Sequence, residues 1–114
     1  MSRSAALLVA IALLVGPAAS AQGLQNSRLA ETLFKDGQQL MKAGKYDEAC
    51  SKFTASFKID PAAGTALNLA TCQEKAGRLA SAWIAYTEAA ALFGKSGKKD
   101  REQFAKVKAT ALQP

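Results

Sequence analysis

An all-α fold, built from a helix-turn-helix unit used twice and closed by one further helix, is predicted by three observations. Alanine, the strongest helix former and a residue depleted in strands, occupies 25 of the 114 positions. Apolar residues recur three and four apart through most of the chain, the period of one helix face. The string Lys42-Ala43-Gly44 returns as Lys75-Ala76-Gly77 after 33 residues, each time at the end of such a stripe. The length allows one domain. The absence of histidine removes the commonest general base and metal ligand near neutral pH.

The first element lies outside the fold. Arg3 is the only charge in residues 1–21, Ala5 to Val15 are all apolar, Gly16-Pro17 breaks the helix, and Ala19-Ser20-Ala21 supplies the small residues of a cleavage site. This is the three-part layout of a secretory signal peptide cleaved after Ala21. Eleven apolar residues are too few for a membrane span, which takes about 20. Cleavage leaves 93 residues with fourteen basic and nine acidic side chains, destined for the periplasm or the exterior.

Residues 22–27 read as a short polar leader. The first helix carries Leu29, Leu33, Gly37, Leu40 and Met41 on one stripe and ends at Gly44, where a left-handed cap calls for glycine. The second places Tyr46, Ala49, Cys50, Phe53, Ser56, Phe57 and Ile59 on one face and stops at Asp60-Pro61. Thr65 suits the N-cap of the third, which carries Leu67, Leu69, Ala70 and Cys72 and ends at Gly77. The fourth carries Leu79, Ala82, Trp83, Tyr86, Ala89, Ala90 and Phe93 and ends at Gly94. After a basic linker, Lys95 to Lys99, Asp100 and Gln103 form a capping box for a fifth helix with Phe104, Val107 and Ala111 on its face. The connections are short, so neighbouring helices should run antiparallel.

Under the shift of 33, Gly37 pairs with Ala70, Tyr46 with Leu79, Ala49 with Ala82, Phe53 with Tyr86 and Ser56 with Ala89. Small residues meet small ones and bulky residues meet bulky ones. Leu33, Gly37, Leu40, Gly44, Tyr46, Ala49, Phe53, Ser56 and Pro61 stand at the spacing of the tetratricopeptide repeat, which this sequence resembles over about 30–62 and 63–94. Asp36 and Gln73 depart from that motif, which favours leucine and an aromatic there. The strings Tyr46-Asp47-Glu48-Ala49-Cys50 and Gly64-Thr65-Ala66-Leu67-Asn68-Leu69-Ala70 look like those of exported bacterial proteins of this class. In that group the helical part often continues into a β-rich segment near an Ala-Leu-Glu-Pro string, here Ala111-Leu112-Gln113-Pro114. That resemblance allows a reading of the chain as the N-terminal part of a larger envelope protein.

Cys50 lies eleven residues before Pro61 and Cys72 eleven after it. If Pro61 marks the turn between antiparallel helices, both cysteines stand about 16 Å from it and level with one another. Level placement and an oxidising compartment predict a Cys50–Cys72 disulfide. The competing readings are two buried, reduced thiols packed as small apolar residues and a redox-active pair, which the absence of a Cys-x-x-Cys motif disfavours.

No catalytic constellation, phosphate loop or metal-ligand spacing stands out, and no cofactor or metal is expected. Asp47 and Glu48 are accounted for by the favourable field at a helix start. The resemblance instead implies a groove lined by the first helix of each repeat. Its candidate residues are Phe34, Gln38, Met41 and Lys42 in the first repeat and Leu67, Thr71, Glu74 and Lys75 in the second. The expected role is non-catalytic binding of a protein or peptide, whose identity the sequence does not specify. Nucleic acid is not the expected partner of an exported chain with few aromatics. The alternative is a structural spacer or envelope-surface binder working through the C-terminal segment 95–114. Residues 28–91 carry eight basic and seven acidic side chains, whereas residues 92–114 carry six and two. Lys95, Lys98, Lys99, Arg101, Lys106 and Lys108 make up that basic tail, which otherwise serves as the solvated face of a capping helix.

Overall fold

Five α-helices follow one another with no strand among the described residues, 16–114 of a computed structural model. They are α1 (Gly16–Lys42), α2 (Tyr46–Ile59), α3 (Ala63–Lys75), α4 (Leu79–Lys95) and α5 (Lys99–Leu112). The apolar run of the expected signal peptide, up to Val15, lies outside the described residues. Each helix packs antiparallel on the one before it, so the chain is a repeat-like array in sequence order.

The turns explain the array. Gly44 and Gly77 adopt φ of 74° and 81°, the left-handed conformation that an L side chain resists. At each, two backbone bonds close the helix end. Gly44 N–H donates to Met41 C=O at 3.0 Å and Lys45 N–H to Leu40 C=O at 2.9 Å. Gly77 N–H donates to Glu74 C=O at 3.0 Å and Arg78 N–H to Gln73 C=O at 2.9 Å. These satisfy carbonyls that a helix end leaves without partners. The α2–α3 turn is different: Asp60, before Pro61, is extended at φ −137° and ψ 99°.

Several sequence expectations are corrected. Gly16 and Pro17 are helical, within α1 as far as it is described, and do not break it. Residues 22–27 are helical and continuous with α1. Their side chains are exposed, so this stretch of helix rests on local propensity and not on packing. A cleavage after Ala21 would cut within α1 and leave its packed part, from Ala30 onward, intact. Thr65 is buried inside α3, whose N-cap is Ala62. Gly94 does not end α4. It stays helical, and its missing side chain leaves room for Glu102 of α5. The third left-handed glycine is Gly97, with φ 71°. Lys95-Ser96-Gly97-Lys98 is therefore a third copy of the same turn, with Lys98 N–H donating to Phe93 C=O at 3.0 Å. The Asp100–Gln103 capping box does not form; α5 starts at Lys99 without a side-chain cap. Leu29 and Leu79 are exposed.

Pairs related by 33 residues share their burial. Ala49 and Ala82, Phe53 and Tyr86, and Ser56 and Ala89 are all buried, and Gly37 and Ala70 are likewise enclosed. In the first unit Gly37 lies against the Phe53 ring, where a Cβ would come within 2.7 Å of it. In the second, Ala70 packs with Ala82, Ala85 and Tyr86. The buried hydroxyl of Ser56 donates to Ala30 C=O of α1 at 2.7 Å, fixing the α1–α2 crossing at that end. Cys50 and Cys72, both buried, face each other across α2 and α3 at disulfide distance, with Cα atoms 5.6 Å apart.

Helix α5 buries a face other than the expected one. Ala105 and Ala109 enter the core beside Ala66, Ala70, Ala82, Ala89 and Ala90, and Leu112 packs at the edge. Phe104 and Val107 are 51% and 58% exposed, and Ala111 is exposed as well. Small residues face small residues here, so the helices come close and the bulky side chains are turned outward.

Candidate functional site

Because α2 reverses the direction of α1 and α3 reverses it again, α1 and α3 run the same way. Residues 33 apart thus lie at corresponding heights on the two helices. Phe34 is matched with Leu67, Gln38 with Thr71, Met41 with Glu74, and Lys42 with Lys75. Four rungs result, ordered from the Pro61 end to the glycine-turn end.

The rungs differ in how freely they face solvent. Phe34 is half-buried, its ring centroid 5.7 Å from that of Phe53 with the planes tilted by 59°. Met41 is also half-buried, packed against the cluster of Ala49, Cys50, Phe53 and Cys72. Both belong partly to the core. Leu67 bridges two core clusters. Gln38, Lys42 and Lys75 are exposed, and neither lysine forms an ion pair among the described residues.

Thr71 and Glu74 are engaged within the fold. Thr71 donates to Leu67 C=O at 3.1 Å and lies 3.4 Å from the Tyr86 hydroxyl. Tyr86 O–H donates to Glu74 Oε1 at 2.7 Å, and Lys108 Nζ of α5 lies 3.7 Å from the same oxygen. Glu74 thereby links α3, α4 and α5. Burial, aided by the Glu74 hydrogen bond and charge and opposed by the Thr71 contact, pushes the Tyr86 phenol up to about 12. The fold favours the neutral phenol. The stability this supplies is complete below about pH 10, the ordinary tyrosine value, and is lost as pH rises through about 12. Alkaline titration followed by circular dichroism should therefore show a loss of stability above pH 10 that Tyr86→Phe weakens. At neutral pH the same variant should cost about 1 kcal/mol in chemical denaturation, the worth of one hydrogen bond.

Tyr86 and Lys108 are not among the groove candidates, Lys108 being read only as part of the basic tail. The shift of 33 pairs Tyr86 with Phe53, and the extra hydroxyl is the signal that this ring needs a polar neighbour where its counterpart does not.

Two open depressions flank the rungs. One, of about 440 Å³, lies between α1 and the α2–α3 turn and is lined by Ala30, Phe34, Ser56, Ala62 and Thr65 among others. The other, of about 450 Å³, lies at the glycine turns and includes Lys45, Tyr46, Glu48 and Lys75. Beside the second, Arg78 bridges the two units, donating from Nη1 to Asp47 Oδ1 and from Nε to Gln73 Oε1, both at 2.5 Å. Phe34 and Leu67 give the candidate surface apolar groups at one end, beside Glu31 and Asp60, and Lys42 and Lys75 give it cations at the other, where Lys45, Asp47 and Glu48 also line the depression. Among the described residues no group of three or more acidic or cysteine side chains is placed to hold a metal ion. No helix described is long and apolar enough to cross a membrane. Compared with protein-family models, curated proteins and solved structures, the chain matches none.

Proposed function

We propose that this chain is an exported, non-catalytic interaction module whose α1–α3 face binds a segment of a protein or peptide. The observation that supports this reading is the shared direction of α1 and α3, on which Phe34 and Leu67, and Lys42 and Lys75, occupy equivalent positions of the two units. The resemblance to tetratricopeptide repeats supports it, since that class binds along the first helices of its units. The disulfide-distance pair fits an oxidising compartment and supports export.

The bound segment would place an apolar side chain near Phe34 and Leu67 and a negative charge near Lys42 and Lys75. Changing Phe34 or Met41 would disturb packing as well as binding, because both touch the core. The informative variant is Lys42→Glu/Lys75→Glu, at exposed positions. Its melting temperature should stay that of the parent, while capture of the partner should fall by at least about tenfold, or ~1.4 kcal/mol. Unchanged capture by the folded variant would refute this reading.

A further inference from the structure

The surplus apolar stripe on α5 calls for an explanation that the core does not provide. Phe104, Val107 and Ala111 follow one another at spacings of three and four, hence along one side of the helix, with Asp100 one turn before Phe104 on that side. The packed side is Ala105, Ala109 and Leu112, so the stripe points away from the array. Helix α5 packs on α4 and the edge of α3. Phe104 and Val107 are more than half exposed, on a ridge that no other described residues wall in.

Cations outnumber acids around this ridge, six to two over residues 92–114. Lys95, Lys98 and Lys99 crowd the Gly97 turn at one end of α5, all exposed, and none forms an ion pair among the described residues. Lys106 and Lys108 flank the stripe, paired at 3.6 Å with Glu102 and at 3.7 Å with Glu74. Arg101 lies over the Phe93 ring, 5.9 Å from its centroid. Of the two acids on α5, Glu102 faces α4, and Asp100 sits in the first turn, where the helix field favours it.

We propose that this face of α5 docks on an anionic lipid bilayer, with Phe104 and Val107 entering the interface and the lysines of the Gly97 turn meeting the headgroups. The inference is independent of the α1–α3 reading and rests on other residues. Charge complementarity selects the occupant. A second copy would bring two surfaces of net positive charge together, which repel. A peptide would gain little from a ridge without walls. A plane of negative headgroups over an apolar layer matches both the cations and the stripe.

The test is co-sedimentation of the purified full chain with vesicles of phosphatidylglycerol and phosphatidylcholine, compared with phosphatidylcholine alone. The expected result is binding that requires the anionic lipid and weakens on going from 0.1 to 1 M salt, where screening shortens from about 10 to 3 Å. Each of Lys95→Gln, Lys98→Gln and Lys99→Gln should reduce it about fivefold. Phe104→Ser/Val107→Ser should reduce it by at least about tenfold while circular dichroism shows an unchanged fold, since both side chains are exposed. Equal binding to both vesicle types, no binding to either, or binding unaffected by the Phe104/Val107 change would each overturn the proposal.

Discussion

Replacing both cysteines, Cys50→Ala/Cys72→Ala, should lower the melting temperature by roughly 12–24 °C. A cross-link between α2 and α3, spanning 22 residues, removes about 3 kcal/mol of freedom from the unfolded chain. A domain of this size shifts by about 4–8 °C per kcal/mol. The effect is large because the cross-link ties α2 to α3, and so one helix pair to the other, at the end away from their turn, within the cluster of Ala49, Cys50, Phe53 and Cys72. Differential scanning calorimetry with and without reductant checks it. The parent should lose most of this margin only when reductant acts on unfolded protein, because both residues are buried. A variant melting within a few degrees of the oxidised parent would show that the staple contributes little.

Phe53→Ala should cost about 3–5 kcal/mol in chemical denaturation, the range for emptying a fully buried phenylalanine site. Phe53 is held on one side by Gly37 and on another by Phe34, so the space left behind spans both helices of the first unit. The complementary variant reverses an ordinary rule. A glycine inside a helix usually gains about 1 kcal/mol on change to alanine. Gly37→Ala should instead lose about 1–3 kcal/mol, because its Cβ would press on the Phe53 ring. Combining Gly37→Ala with Phe53→Leu should recover part of that loss, a coupling that a double-mutant cycle measures.

Much of the array was legible in the sequence because its signals are local. Lys-Ala-Gly marks two helix ends, Asp60-Pro61 marks a third, and the small-against-small pairing of Gly37 with Ala70 and Ala49 with Ala82 marks the closest contacts. Equal distances from Pro61 placed Cys50 and Cys72 face to face. Helix α5 was misread because hydrophobicity favours Phe104 and Val107, whereas close packing against an alanine-rich surface selects Ala105 and Ala109. The turn before α5 was misplaced for a related reason: Gly94 serves interhelical room and Gly97 serves the backbone, two uses of glycine that composition does not separate. On the candidate face, Glu74 and Thr71 were picked out by what the repeat resemblance implies. That resemblance could not show that Tyr86 and Lys108, from other helices, take up Glu74.

The central reading is that α1 and α3 together present the binding face. Its most direct measurement is site-specific photocrosslinking in native envelope, with the crosslinker at exposed Gln38 and, as a comparison, at Phe104 on α5. The account predicts a discrete adduct from Gln38 that disappears in the Lys42→Glu/Lys75→Glu background and is not reproduced from Phe104. No adduct from Gln38, or one that survives the charge reversal unchanged, would contradict it.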